Sequence, residues 1–110
     1  MPSQVPEVGI DQVPADAVLL DVRESDEWEA GHAPGAVHIP MTTLTGRLGE
    51  VPEAAPLYVI CRSGGRSARV TEFLNANGWE SVNVAGGMME WARAGRPLEG
   101  AGSGGAPEII

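Results

Sequence analysis

The feature that most restricts the fold is a short apolar run that ends at the only cysteine of the chain. Leu57 to Ile60 is apolar and includes β-branched and aromatic residues, a composition typical of a strand. Cys61 follows, and a loop with two glycines and two arginines leads into a segment with helical spacing, where Val70, Phe73 and Leu74 fall at i, i+3 and i+4. A strand, a tight loop and a helix in this order predict an anion cradle, because loop amides and the helix N-terminus both supply positive potential.

A thiol in such a cradle is expected to lose its proton more readily than a free cysteine, whose pKa is about 8.5. The thiolate is the nucleophilic form. The alternative interpretation is that Cys61 is a small buried hydrophobe, as many lone cysteines are. The neighbouring Arg62 and Arg66 favour the functional interpretation, because planar guanidinium groups suit an anionic substrate.

The length and net charge of the chain limit its number of domains and the kinds of partner it can bind. With 110 residues, the chain predicts a single domain over residues 1–98 and a flexible Gly/Ala/Pro-rich tail over 99–110. The net charge is −8, from 15 acidic and 7 basic residues, and every basic residue is an arginine. This acidic balance argues against a nucleic acid or a membrane as partner. Arginines 62, 66 and 69 are the local exception, since they gather beside the cysteine.

The cysteine count and the lack of apolar segments limit the chemistry and the location. A single cysteine excludes an internal disulfide and a cysteine-cluster metal site, so no metal and no cofactor are expected. No stretch resembles a signal peptide or reaches membrane-spanning length. A reducing, cytoplasmic compartment is therefore the expectation, and a nucleophilic thiol would survive there.

Strand patterns alternate with helix patterns along the chain. Strands are predicted at Val8–Ile10, Ala17–Val22, Ala36–Ile39, Leu57–Ile60 and Val82–Val84. Helices are predicted after the N-cap Ser25, over a face formed by Met41, Leu44 and Leu48, from the cysteine loop to Asn77-Gly78, and from Gly86 through Trp91. The alternation predicts an α/β fold with a mainly parallel sheet. Ligands of such sheets bind at the carboxyl ends of the strands, where Cys61 and Asp21 stand.

Cys61 to Ser67 resembles the active-site loop of the rhodanese family, the sulfurtransferases of the single-domain type. The resemblance extends from about Val8 to Pro97. It implies a three-layer fold with a five-stranded sheet, helices on both faces and the cysteine strand in the centre. It also implies that Cys61 takes a sulfane sulfur from thiosulfate or a related anionic donor, and passes it to cyanide, a thiol or a protein acceptor through a persulfide. The substrate loop would comprise Arg62, Ser63, Gly64, Gly65, Arg66 and Ser67.

Three further segments are similar to motifs of this family. Asp21-Val22-Arg23 resembles a motif whose acid and base brace the active loop; the alternatives are a strand-end acid in water and a surface arginine paired with a glutamate. Trp28 to Ala36 resembles the first family signature, in which His32 is expected to be a hydrogen-bonded structural residue. Ala85 to Trp91 resembles the second, and its Met88, Met89 and Trp91 are expected to pack in the core.

Two other function classes remain open. Phosphatases and arsenate reductases of the same fold also use a cysteine loop, but theirs reads Cys, five residues, Arg. In this chain four residues separate Cys61 from Arg66, and Ser67 occupies the place of the phosphatase arginine. The second alternative is a non-catalytic binding or regulatory module; it ranks lower because the cysteine is present.

Overall fold

The computed structural model describes residues 5–100 and 106–110, and its centre is a five-stranded parallel sheet. The strands are β1 (Glu7–Val8), β2 (Leu19–Asp21), β3 (Val37–His38), β4 (Leu57–Ile60) and β5 (Ser81–Val84). Their order is β1-β5-β4-β2-β3, and all four neighbouring pairs are parallel. The predicted parallel α/β fold, with the cysteine strand in the centre, is confirmed.

In the described ranges, three α-helices and three 3-10 helices accompany the strands. The α-helices are α1 (Ser25–Ala30), α2 (Gly65–Ala76) and α3 (Gly87–Arg93), and the 3-10 helices are Ile10–Gln12, Met41–Gly46 and Leu48–Glu50. Helix α2 ends where the sequence predicts, because Asn77 caps it and Gly78 follows with a positive φ of 100°. Because all neighbouring strands are parallel, each connection returns the chain to the same end of the sheet. The carboxyl ends of the strands therefore lie together at the opposite end.

The alternation of side chains along the strands divides the core into two layers. Leu20 and Val59 point into a cluster with α2 and the 3-10 helix Met41–Gly46. Leu19 and Ile60, their chain neighbours, point into a second cluster with α3 and the 3-10 helix Ile10–Gln12. Successive residues of a strand face opposite sides, so each cluster occupies one face of the sheet. This is the predicted arrangement, with helices on both faces.

Several local predictions need correction. Glu24, not Ser25, is the N-cap of α1, and its N–H donates to Glu27 Oε1 at 3.0 Å. The predicted helix of Met41, Leu44 and Leu48 is two 3-10 segments, with Leu44 buried. Met89 is 45% exposed, because it follows the buried Met88 and therefore lies on another side of α3.

The predicted tail falls in part on residues 101–105, which lie outside the described residues. Its last five residues lie against the domain: Glu108 N–H donates to Ala30 O at 2.9 Å, and Ile109 packs on the second cluster. In residues 5–100 and 106–110, no helix has the length and hydrophobicity needed to cross a membrane. Nor do three or more His, Cys, Asp or Glu side chains gather in these ranges as a metal site could require.

Candidate active site

Cys61 lies directly after central strand β4, at the bottom of the loop that leads into α2. Its sulfur accepts a hydrogen bond from the Gly64 N–H at 3.1 Å, and the Ser67 hydroxyl oxygen lies within hydrogen-bonding distance of it, at 3.2 Å. Gly64 caps α2 with a φ of +113°, a conformation that side-chain-bearing residues rarely adopt. This backbone turn aims the Gly64 N–H at the sulfur, so the loop and the start of α2 surround it with donors.

The environment of the Cys61 thiol favours its ionised form. Burial is the largest single influence and raises the pKa, since the residue is only 1% exposed. Hydrogen bonds from the Ser67 hydroxyl and from the backbone N–H groups of Ser67, Gly64 and Ser63 act in the opposite direction. Together they outweigh burial and leave the Cys61 pKa below its ordinary value, as the cradle argument requires.

Helix α3 explains why the cradle presents donors. The backbone carbonyls of Cys61 and Arg62 accept hydrogen bonds from the N–H groups of Met88 at 2.8 Å and Met89 at 3.0 Å. These carbonyls are thereby held away from the sulfur. The approach is close enough that a side chain at Gly87 would overlap the carbonyl of Cys61. The second glycine pair of the chain therefore shapes the cysteine loop.

Asn83 is a site residue that the sequence interpretation missed. It lies in β5, it is completely buried, and its Oδ1 accepts a hydrogen bond from the Ser67 hydroxyl at 2.5 Å. Its Nδ2 donates to Glu7 Oε2 at 2.9 Å and to the carbonyl of Gly64 at 3.2 Å. Asn83 thus joins the loop, α2 and edge strand β1 around the Cys61 sulfur. An asparagine in a short buried strand, whose side chain needs partners, was the available signal.

Asp21 and Arg23 form a buried ion pair at the end of β2. Both side chains are 0% exposed, and Arg23 Nη2 lies 2.8 Å from Asp21 Oδ2. The remaining guanidinium donors bind the carbonyls of Glu27 at 3.2 Å and Gly31 at 2.8 Å. The pair therefore fixes the end of α1. Because both side chains are buried, the two alternatives, an acid exposed to water and an arginine at the surface, do not apply.

Glu27 links helix α1 to the cysteine loop, and it is the second site residue that the sequence interpretation missed. Its carboxylate accepts hydrogen bonds from Arg66 Nη1 at 2.7 Å and Nη2 at 2.8 Å. This bidentate salt bridge joins α1 to the first turn of α2. The hydrogen bonds from Arg66 lower the pKa of Glu27 to about 2, and the carboxylate raises the pKa of Arg66 above its ordinary value. Asp21, Arg23, Glu27 and Arg66 thus form a continuous chain of contacts.

The other loop residues lie at the surface. Arg62, Ser63 and Gly65 are exposed. Arg62 Nε donates to the backbone oxygen of Ile110 at 2.9 Å, so the C-terminal segment 106–110 reaches the loop. The loop arginines therefore differ in their contacts: Arg66 is paired with the carboxylate of Glu27, whereas Arg62 is exposed and donates to an oxygen of Ile110.

The histidines have structural contacts beside α1. The Trp28 ring stacks on His32, with ring centroids 3.6 Å apart, and on His38, at 4.6 Å. His32 Nδ1 donates to the carbonyl of Trp28 at 2.7 Å, and His38 Nε2 donates to the carbonyl of Arg23 at 2.8 Å. The structural interpretation of His32 is confirmed. His38 is half-buried.

Comparison with known proteins agrees with this geometry. The family of the Rhodanese-like domain matches residues 9–94, which include both the cysteine loop and the Asp21–Arg23 pair. The chain belongs to the rhodanese-like domain family. Its fold resembles the crystal structure of SSP1007 from Staphylococcus saprophyticus, with a TM-score of 0.76, 34% identity, and coverage of 86% of this chain and 99% of that one.

Two relatives of this rhodanese-like domain have names that refer to sulfur transfer. A protein named "Sulfurtransferase" from Allochromatium vinosum is 36% identical over 84 residues, which cover 76% of this chain and 78% of the relative. "Putative sulfur carrier protein YrkF" from Bacillus subtilis is 38% identical over 96 residues, 81% of this chain and 52% of the relative. The chain spans about half the length of the second. Family and relatives together support sulfur transfer in general.

Proposed function

We propose that this rhodanese-like domain is a thiosulfate-type sulfurtransferase that works through a persulfide on Cys61. The observation that carries the proposal is the Cys61 sulfur at the base of a cradle of donors, with its pKa lowered by them. Such donors stabilise a negative charge on the thiolate and, equally, on the outer sulfur of a persulfide. The cradle therefore supports both anionic states of a two-step transfer.

The first half-reaction loads the enzyme. The Cys61 thiolate attacks the outer sulfur of the donor, the sulfur–sulfur bond of the donor breaks, and its electron pair leaves with the released anion, sulfite in the case of thiosulfate. The bond between the two sulfurs of the Cys61 persulfide is the new bond. Arg62 attracts and orients the donor anion, because it is the exposed cation of the loop.

The second half-reaction removes the outer sulfur from the Cys61 persulfide. An acceptor nucleophile attacks the outer sulfur, and the Cys61 thiolate is the leaving group. Because this chain has one cysteine, the acceptor is external: cyanide, a small thiol, or a thiol of a partner protein. Ping-pong kinetics follow from the two steps. The proposed setting is the cytoplasm, where thiol acceptors are kept reduced.

The contacts of Arg66 weigh against phosphatase or arsenate chemistry. A phosphatase loop needs a guanidinium that can clamp a tetrahedral oxyanion. The guanidinium of Arg66 is already bound through both Nη groups by Glu27, and the next residue, Ser67, contacts the sulfur instead. The almost complete burial of Cys61 also suits attack on a single outer sulfur atom better than the binding of a bulky oxyanion.

The test is to incubate the protein with thiosulfate, desalt it, and measure its intact mass. The expected result is a gain of one sulfur atom that cyanide removes with formation of thiocyanate. Cys61→Ser should show neither the adduct nor thiocyanate while it keeps the far-UV circular dichroism of the wild type. Wild-type transfer by Cys61→Ser, or no adduct on wild-type protein with thiosulfate and other sulfane donors, would contradict the proposal.

A further inference from the structure

The amide of Asn83 can adopt only one orientation in its buried position. Its Nδ2 faces a carboxylate oxygen of Glu7 and the carbonyl of Gly64, and both of these groups only accept hydrogen bonds. A flipped amide would place Oδ1 against two acceptors. Oδ1 is therefore fixed toward Ser67, where it is an acceptor with no proton of its own.

The Ser67 hydroxyl has one proton but two acceptors. Asn83 Oδ1 lies 2.5 Å from Ser67 Oγ, and Cys61 Sγ lies 3.2 Å from it. At so short a separation, the proton must lie between the two oxygens, since two unprotonated oxygens would repel each other. In the described geometry the hydroxyl therefore donates to Asn83, and it reaches the sulfur only after a rotation about its Cβ–Oγ bond.

We propose that Asn83 is a positioning residue that competes with the Cys61 sulfur for the Ser67 hydroxyl proton. A neutral sulfur, as thiol or as the inner atom of a persulfide, is a weak acceptor, and the proton stays with Asn83. A thiolate is a strong acceptor, and the hydroxyl turns to it. Asn83 therefore accepts the Ser67 hydrogen bond when Cys61 carries a persulfide. When Cys61 is a thiolate, Asn83 competes for the same proton and so limits how far Ser67 stabilises the thiolate.

This inference rests on the proposed role of Cys61 as nucleophile, but its test needs no sulfur donor. The rate of Cys61 alkylation by iodoacetamide as a function of pH reports the thiol pKa directly. In Asn83→Leu the competing acceptor is lost, so the Cys61 pKa should fall by about one unit, the change expected when a hydrogen bond to a charged group is strengthened. Asn83→Ala removes the same acceptor with a smaller side chain and should also lower the Cys61 pKa.

A double-mutant cycle separates this role from general disruption. In a Ser67→Ala background Asn83 has no hydroxyl to attract, so Asn83→Leu should leave the Cys61 pKa unchanged. The charged groups around the loop, namely Glu7 on β1, the Asp21–Arg23 pair, and Glu27 with Arg66, are the same in both backgrounds.

The matched control is Asn75→Leu. Asn75 binds Ser81 at the other end of β5, through its Oδ1 to the Ser81 N–H at 2.8 Å. This variant should lose stability but keep the wild-type alkylation profile. An unchanged or raised Cys61 pKa in Asn83→Leu, or an equal shift with and without Ser67, would overturn the proposal. If Asn83→Leu does not fold, an unchanged or raised Cys61 pKa in Asn83→Ala would do so. Loss of sulfur transfer with these shifts intact would instead count against the proposed function.

Discussion

Gly64 and Gly65 are adjacent in the loop, yet substitution by alanine should affect them in opposite ways. Gly64 has a φ of +113°, and its N–H donates to the Cys61 sulfur at 3.1 Å. Gly65 is the first residue of α2 with an ordinary backbone conformation, and a Cβ there would meet nothing within 4 Å. The pair therefore tests one conformational requirement with the same chemical change at two adjacent residues.

The magnitudes follow from conformation and not from collision. A Cβ at Gly64 would lie 3.4 Å from the N of Gly86, close but tolerable. Forcing an alanine into the native angles should cost about 1–3 kcal/mol. Gly65→Ala should instead stabilise the fold by about 0.4–1 kcal/mol, because alanine restricts the unfolded chain and suits a helix. The two variants should therefore differ in stability by about 1.4–4 kcal/mol.

Urea unfolding measures that difference, and iodoacetamide alkylation measures its chemical consequence. If Gly64→Ala relaxes the loop, the N–H turns from the sulfur and the Cys61 pKa rises. Gly65→Ala should keep the wild-type profile. Equal stabilities for the two variants would refute the conformational argument, and an unchanged Cys61 pKa in a destabilised Gly64→Ala would refute the role of its N–H.

Three further results are expected. Glu27→Gln should lower the free energy of unfolding by about 1–2 kcal/mol at pH 7, after allowance for solvent screening. Because the Glu27 pKa falls from 4.5 to about 2 on folding, its contribution is complete above pH 4.5 and is lost as the pH falls toward 2, so urea titrations of variant and wild type should converge in acid. The Cys61 persulfide should persist after desalting and disappear rapidly when a dithiol is added, as a time course of intact mass would record; prompt spontaneous loss from monomer would contradict protection by the loop. Aryl phosphates should be hydrolysed negligibly, and efficient turnover that Cys61→Ser abolishes would favour phosphatase chemistry.

Local patterns predicted the fold well because each governing signal lies within one element. The apolar run before Cys61 and the helical spacing after it fix the strand, loop and helix. The boundaries were less accurate: β2 covers Leu19–Asp21, half of the predicted Ala17–Val22, since strand limits depend on where neighbouring strands pair. The Met41–Gly46 segment has helical spacing, but it forms a 3-10 helix, a distinction that the spacing of apolar residues does not make.

The missed site residues share a different cause. Asn83 meets Ser67 across 16 positions of sequence, and Glu27 meets Arg66 across 39. Neither contact has a local pattern, because a hydrogen bond between elements depends on the register of the sheet and the rotation of a helix. Glu27 in particular occupies the first turn of α1, where an acid is already explained by the helix dipole. A residue with an adequate local explanation gives no signal of a second role.

The two glycine pairs show how separate motifs combine into one site. Gly64-Gly65 turns the loop so that N–H groups face the Cys61 sulfur, but a peptide loop also has carbonyls, which would repel a thiolate if they faced inward. The first turn of α3 binds the carbonyls of Cys61 and Arg62, and only a residue without a side chain at 87 allows that approach. The electrostatic character of the cradle therefore depends on α3 as much as on the loop itself. A substitution at Gly87 should impair the Cys61 site, although Gly87 contributes no group to the reaction.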